Sequence, residues 1–234
     1  MAILQVKNVT LRFGVETILE GVDFLLEAGD KLGIIGVNGC GKSSLFRVIT
    51  GEYTPDTGSV TVPAGRSVGM LSQDGAFAVT TDEGGESTTV LDWMLQTKPE
   101  ILRMQERLAE LERQLSLPDT PHLSAVTAEY SALHERYLAE GGLEHRGRCA
   151  SLLSSLGFDE KAQHQPLSTL SGGQRTRLAL AQQLSREPDV LMLDEPTNHL
   201  DIATVAWLEQ FLADYKKTVL VISHDRYFLD RVTN

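Results

Sequence analysis

The sequence has little cysteine and no long hydrophobic run. Its two cysteines, Cys40 and Cys149, form no CxxC motif and no disulfide pattern, which indicates a reducing compartment rather than a disulfide-stabilised scaffold. No apolar segment approaches the roughly 20 residues needed to cross a bilayer. The first residues, MAILQVKNVTLRF, lack the pattern of a signal peptide. We therefore expect a cytoplasmic protein that acts at a membrane only through a partner.

Positive charge is also scarce. The chain of 234 residues has 21 Lys and Arg against 32 Asp and Glu, which gives a formal net charge of −11. Such a surface repels phosphate backbones on average, so only a local basic patch could attract nucleic acid. A hydrophobic content of 41% still supports a real core. The length fits one large domain or a domain with an insertion.

The hydrophobic pattern predicts an α/β fold. Alternating or β-branched segments predict short strands at 2–7, 10–13, 22–27, 58–62 and 67–72. Continuous apolar runs predict buried parallel strands at 31–37, 190–194 and 218–223. Helices are predicted at 172–186 and 204–215, the second of which connects two parallel strands. The expected architecture is a mixed β part followed by a parallel core sheet.

A helical insertion interrupts this pattern. Apolar residues are spaced three and four apart in two series: Ile101, Met104, Leu108, Leu111 and Leu115, then Leu123, Val126, Tyr130, Leu133 and Tyr137. Pro118 and Pro121 lie between the two series and break the helix. We predict an antiparallel helical hairpin, or arm, within an inserted subdomain at 90–158, flanked by core segments 1–89 and 159–234. Ordinary helical core is the alternative interpretation.

One motif predicts a phosphate-binding loop. GVNGCGKSS (36–44) fits GxxxxGK(S/T), and it follows a predicted strand and opens a helix. The glycines let backbone N–H groups face phosphate oxygens, and the helix N-terminus adds a favourable dipole. Lys42 supplies a positive charge to the phosphates and Ser43 a hydroxyl to Mg²⁺. The predicted nucleotide contacts of this loop are Gly36, Asn38, Gly39, Cys40, Gly41, Lys42, Ser43 and Ser44.

Two carboxylates follow the buried strand 190–194. Asp194 ends that strand, a position that suits a ligand of Mg²⁺, commonly through water. Glu195 comes next and could polarise an attacking water. The alternative interpretation is a simple pair of charges at a strand end. This interpretation becomes less favoured once Lys42 and Asp194 are placed in one site.

A second anion site is predicted in TLSGGQRTR (169–177). Ser171 can cap a helix that begins with Gly172 and Gly173, whose N–H groups are exposed. One nucleotide has one triphosphate, yet the chain has two such helix ends. A second site that serves the nucleotide of another copy resolves this mismatch.

Together, the P-loop, LSGGQ, LDEP and a later SHD resemble the ATP-binding cassette (ABC) ATPases over nearly the whole chain. The resemblance implies the cofactors ATP and Mg²⁺ and assigns further residues. Phe13 would stack on adenine. Gln73 would contact Mg²⁺ and the water, and His224 the γ-phosphate. Asp201 would lie in the loop that crosses to a partner cassette, and Gln174 would belong to the signature that binds the partner's ATP. The implied catalytic residues are Lys42, Gln73, Glu195 and His224.

DEPTNHLD and SHDRYFLD resemble the ABC-F subfamily more than membrane transporters. This implies two cassettes in one chain, of which this would be the first, and action on the ribosome or in some members on DNA. It also implies an arm between Gln73 and the signature, where the hairpin is predicted. Residues 90–160 have seven basic residues against twelve acidic ones, so the charge of the arm does not itself indicate RNA binding. A transporter's ATP-binding subunit and an ATPase acting on DNA structures are the alternatives.

Overall fold

The structure, a computed structural model, describes residues 2–72, 88–117, 122–198 and 200–233. Its elements in chain order are β1 (Ala2–Phe13), β2 (Glu16–Glu27), β3 (Lys31–Ile34), α1 (Lys42–Ile49), β4 (Thr57–Thr61), β5 (Val68–Leu71), α2 (Val90–Leu95), α3 (Pro99–Leu115), α4 (Leu123–Ala139), α5 (Gly142–Ser155), α6 (Glu160–Gln163), α7 (Gly172–Arg186), β6 (Val190–Asp194), α8 (Ile202–Asp214), β7 (Thr218–Ile222) and α9 (Arg226–Val232). A short 3₁₀ turn, Leu167–Thr169, precedes α7.

The chain divides into two compact units. One comprises Met1–Thr80 and Ser171–Asn234, and the other comprises Thr81–Leu170. The first unit has an antiparallel sheet in the order β2-β1-β4 and a parallel sheet in the order β3-β7-β6-β5. The predicted α/β architecture is therefore confirmed. The limits of 90–158 for the insertion stay a prediction.

The parallel sheet aligns the strand ends that position the site. Ile34 of β3 and Asp194 of β6 both pair with Ile222 of β7, so three strands end at one level. Every residue of β6 and β7 is buried. Because parallel strands share one carboxyl edge, the loops that follow β3, β6 and β7 start side by side. The apolar face of α1 packs into the same core as these strands and β1.

The antiparallel sheet corrects two strand predictions. The break between 2–7 and 10–13 is wrong, because one strand runs from Ala2 to Phe13. Asn8 has a left-handed φ of 47° within it, and its N–H donates to Asp23 where the register shifts. This bulge absorbs the irregular residues without ending the strand. The start of the next strand at residue 22 is also wrong, because β2 begins at Glu16 after a tight turn.

Helices form the second unit. The predicted hairpin helices are present as α3 and α4, and Arg107 of α3 forms a 2.7 Å ion pair with Glu129 of α4. Four residues of the α3 seam are buried: Ile101, Met104, Leu108 and Leu111. No described side chain of α4 is buried, although α4 contacts both α3 and α5. The apolar series predicted for this helix, from Leu123 to Tyr137, is therefore half-buried at best. The predicted proline turn at 118–121 lies outside the described residues.

Candidate nucleotide site

The phosphate loop connects β3 to α1 in a conformation that depends on glycine. Gly41 immediately precedes α1 and has a φ of 90°. A Cβ there would lie 2.7 Å from the backbone oxygen of Ile18. The loop therefore passes so close to β2 that a side chain at this position has no room. Gly39 also has a positive φ, 81°, but a Cβ there would meet no atom within 4 Å.

Lys42 folds back over the loop. Its Nζ donates to the carbonyl oxygens of Gly36 at 2.9 Å and Val37 at 3.0 Å. These bonds keep the ammonium beside the backbone that the motif assigns to phosphate binding. Both acceptors are neutral, and an ammonium bonds more strongly to an anionic oxygen. A phosphate is therefore able to attract Lys42 away from these carbonyls.

Cys40 packs against the first glycine of the motif. A Cβ added to Gly36 would lie 2.7 Å from the Cys40 sulfur. The thiol is exposed to solvent, whereas Cys149 is buried. Cys40 is thus the accessible one of the two thiols, and it lies within the phosphate loop.

Glu195 is held in an unusual backbone conformation beside the end of β6. Its φ is 50°, a region that costs a non-glycine residue about 1–3 kcal/mol. Its N–H donates to the carbonyl of Ile222 at 2.9 Å, which anchors the turn to the neighbouring strand. The side chain is only 9% exposed. Its Oε1 makes no hydrogen bond to any described residue, so this buried oxygen still needs a donor.

His224 lies against this glutamate. Its backbone N–H donates to Glu195 Oε2 at 3.3 Å, and its Nε2 lies 3.4 Å from Oε1. The second distance is longer than a strong hydrogen bond. The imidazole is 48% exposed and is free to reorient toward a ligand. The preceding strand β7 fixes its backbone and leaves its ring adjustable.

These groups border one cavity of about 510 Å³. Its lining combines the phosphate loop with the ends of β6 and β7: Ile18, Asn38, Gly39, Gly41, Lys42, Ser43, Ser44, Asp194, Glu195, Asn198 and His224. Ile18 and Asn198 were not predicted. Ile18 belongs to the part of β2 that was not predicted as a strand. Asn198 lies in the TNHLD segment, where the polar turn directly after two site carboxylates could have signalled it.

Asp194 and Ser43 supply oxygen donors to this cavity. Mg²⁺ prefers oxygen ligands and is commonly held by one or two protein groups together with phosphate oxygens and water. Among the described residues, no three His, Cys, Asp or Glu side chains form a metal cage. The two oxygen ligands in the cavity lining, Ser43 and Asp194, fit Mg²⁺ that is shared with a nucleotide. Gln73, the third predicted ligand, lies outside the described residues.

Phe13 is placed outside the lining of this cavity. It ends β1 and is 50% exposed. Its ring meets Tyr53 edge-on, with centroids 5.4 Å apart and planes at 88°. The half of the side chain that is exposed is therefore open to a ligand while the ring contacts Tyr53.

The second predicted anion site lies at the N-terminus of α7, which Ser171 caps. The Ser171 hydroxyl accepts from the Gln174 N–H at 3.3 Å, and the Gln174 side chain accepts from the Ser171 N–H at 2.9 Å. This reciprocal capping box fixes the start of the helix. Cβ atoms at Gly172 and Gly173 would meet nothing within 4 Å. These four residues are not part of the cavity lining, so their open N-terminus is available for a separate anion.

Asp201 begins α8. Its carboxylate accepts from the Thr204 N–H at 2.9 Å and from the Thr204 hydroxyl at 3.1 Å. These bonds, the backbone one first, lower the pKa of Asp201. The residue therefore stabilises the helix start as an N-cap. It too lies outside the cavity lining.

Comparison with known proteins decides the family. A family model described as "ABC transporter" matches residues 19–198. The chain belongs to this ABC family. Recognition of an ABC ATPase from the motifs is confirmed, and the chain is an ATP-binding ABC cassette. No helix in the described part of the ABC cassette has both the length and the apolar character to span a membrane.

Several curated relatives resemble this ABC cassette along its whole length. The tylosin resistance ATP-binding protein TlrC of Streptomyces fradiae is 39% identical over 98% of the chain and 41% of its own length. The ATP-binding protein YdiF of Bacillus subtilis is 37% identical over 100% of the chain and 35% of its own length. The chain thus spans about a third to two fifths of these relatives.

Solved structures share the fold. An ATP-binding subunit of an ABC transporter matches with a TM-score of 0.66 and 18% identity, covering 99% of this chain and 83% of its own. A dimeric ATP-binding cassette bound to ADP and Pi, in a post-hydrolysis state, matches with a TM-score of 0.62 and 21% identity, covering 97% and 90%. Both likenesses concern the fold.

Proposed function

We propose that this ABC cassette binds ATP with Mg²⁺ and hydrolyses it to ADP and phosphate. The observation that carries the proposal is the single cavity in which the phosphate loop faces Asp194, Glu195 and His224. The buried Oε1 of Glu195 accepts no hydrogen bond from the residues that the structure describes, so it is suited to accept one from an attacking water.

Each residue has a distinct part in this reaction. Loop N–H groups and Lys42 bind the phosphates, and Lys42 exchanges its two carbonyl acceptors for phosphate oxygens. Glu195 polarises the water. His224 contacts the γ-phosphate, and Phe13 stacks on adenine. Ser43, Asp194 and Gln73 would hold Mg²⁺, which would neutralise charge on the phosphates.

We further propose that two cassettes pair head to tail. Ser171, Gly172, Gly173, Gln174 and Asp201 then act on the ATP bound by the partner, which accounts for an open helix N-terminus outside the chain's own cavity. The dimeric ATP-binding cassette of similar fold supports this arrangement. Closure around ATP excludes water and completes the site, and hydrolysis releases it.

We propose an ABC-F type protein that acts on the ribosome in translation. The support is the DEPTNHLD and SHDRYFLD motifs and the arm helices α3 and α4. TlrC, similar along this chain, is named for tylosin resistance, and antibiotic protection is among the activities that the ABC-F resemblance implies. The acidic arm supplies no electrostatic argument for RNA.

A transporter's ATP-binding subunit is the second candidate, favoured by the family description and by a solved subunit of similar fold. It predicts co-purification with a membrane protein. An ABC-F protein that acts on DNA predicts ATP-dependent binding to branched DNA without binding to ribosomes.

Glu195→Gln tests the chemistry and the pairing. It should reduce ATP hydrolysis by about 100-fold or more, because general base catalysis contributes roughly that much. ATP should still bind, and the variant should sediment as a dimer in ATP but not in ADP. Glu20→Gln, an exposed change on β2, is the matched control and should hydrolyse ATP normally. Hydrolysis by Glu195→Gln at the unaltered rate would remove Glu195 from the mechanism.

Sedimentation through sucrose tests the target. The protein that carries this cassette, with Glu195→Gln and the matching change in its partner cassette, is mixed with cell extract in ATP or ADP. ATP-dependent migration with ribosomes supports the translation factor. Migration at the top of the gradient in both nucleotides, despite measured ATP binding, favours DNA or a membrane partner.

A further inference from the structure

Tyr53 lies between the proposed adenine-binding ring and the phosphate-binding helix. It follows α1 and is half-buried against the core of the first unit. The edge-to-face contact with Phe13 has the geometry that aromatic pairs prefer. Phe13 stands at the end of β1, next to the tight turn before β2, where a half-exposed side chain would otherwise be free to rotate.

The Tyr53 ring is itself fixed from α1. Arg47 Nη1 donates to the Tyr53 hydroxyl at 2.7 Å. The Tyr53 N–H in turn donates to the Arg47 carbonyl at 3.0 Å. The guanidinium carbon lies 5.5 Å from the Tyr53 ring centroid, so the bond to the hydroxyl is the shorter of these two contacts with Tyr53. Arg47 lies in the last turn of α1, the helix that Lys42 begins, and Tyr53 therefore joins Phe13 to this helix.

The backbone around this contact is also secured. The Arg12 N–H donates to the Asp56 carboxylate at 2.7 Å, and the Asp56 N–H donates to the Thr10 carbonyl at 2.8 Å. The segment that holds Tyr53 is thus bonded directly to the strand that holds Phe13. Hydrogen bonds hold the backbone around both rings. The contact between the rings then restricts the side-chain rotation of Phe13.

We propose that Tyr53 is a positioning residue for nucleobase binding. It holds the Phe13 ring in one orientation before ATP arrives and relates that orientation to the phosphate loop through Arg47 and α1. A ring that is already oriented loses less conformational freedom on stacking, so ATP binds more tightly. This inference rests on the proposed stacking of adenine on Phe13.

Binding of two ligands by the full chain tests the proposal. ATP needs both subsites, whereas inorganic tripolyphosphate needs only the phosphate loop. Tyr53→Leu should raise the Kd of ATP about three- to tenfold, the range of an aromatic pair, and leave the Kd of tripolyphosphate unchanged. Tyr53→Phe keeps the ring and should restore much of the affinity for ATP. Phe24→Leu, an aromatic change against the same core, is the control and should bind ATP normally.

The Phe13→Leu background separates the inference from the proposed function. Tyr53→Leu should have no further effect there, because the ring that it orients is gone. Unchanged ATP affinity in Phe13→Leu alone would overturn the stacking itself. Weakening by Phe13→Leu but not by Tyr53→Leu would overturn the positioning role and leave the stacking intact. Equal weakening of ATP and tripolyphosphate by Tyr53→Leu would indicate damage to the phosphate loop and also overturn the proposal.

Discussion

Substitution of Gly41 or Gly39 by alanine distinguishes two constraints on the phosphate loop, a left-handed φ and steric crowding. Both glycines have a left-handed φ, 90° and 81°, so alanine at either position should cost about 1–2 kcal/mol of stability. Only Gly41 is crowded: its Cβ would lie 2.7 Å from the Ile18 backbone oxygen and 3.0 Å from side-chain carbons of Ile18 and Leu19. A backbone oxygen cannot rotate away, and such overpacking adds about 1–3 kcal/mol.

Gly41→Ala should therefore be less stable than Gly39→Ala by about 1–3 kcal/mol. In a chain of this size, 1 kcal/mol corresponds to about 2–4 °C in Tm. The assay is thermal unfolding of both variants without nucleotide, followed by circular dichroism. Gly39→Ala is the control, since it lies in the same loop with the same sign of φ. Equal decreases in Tm would refute the argument that the loop approaches β2 closely.

Two further predictions follow. ATP should protect Cys40 from a thiol reagent because the loop then faces phosphate, while buried Cys149 reacts slowly in every state; equal labelling of Cys40 with and without ATP would contradict this. The pKa of Asp189 is lowered by hydrogen bonds from the Ser67 N–H and hydroxyl and from Arg66. The ionised carboxylate therefore stabilises the fold fully above the unfolded-state pKa of about 4, and this stabilisation is lost as the pH falls through the folded-state pKa. Asp189→Asn should lower Tm at pH 7 more than at pH 3, and an equal decrease at both would rule out the carboxylate as the cause.

The strands β6 and β7 were predictable because their signals are local, whereas the buried strand predicted at 31–37 ends at Ile34 and is only half-buried. A continuous apolar run is required where a parallel strand is buried on both faces, and β6 and β7 are present where the runs predicted them. Helix α7 also has the predicted limits, since Ser171 and Gln174 form a capping box within four residues. In each case the residues that fix the element are adjacent in sequence.

Ile18 shows why part of the site was not predictable. It lines the cavity because β2 pairs with β1 from Glu16 onward and brings this backbone against Gly41. The pairing depends on a partner strand that is itself bulged at Asn8, so hydrophobic alternation does not reveal it. The φ of Glu195 likewise accompanies a contact distant in sequence, because the Glu195 N–H donates to the carbonyl of Ile222 on the neighbouring strand.

The ends of the helical unit are bonded to each other. The Leu167 N–H donates to the Thr88 carbonyl and the Val90 N–H to the Gln165 carbonyl, both at 3.1 Å, around a bridge between Thr89 and Pro166. These contacts lie within the helical unit, so its first and last described segments are held together by its own residues. A change in the length of the helices between Thr88 and Leu167 should therefore leave this pairing of the two ends intact.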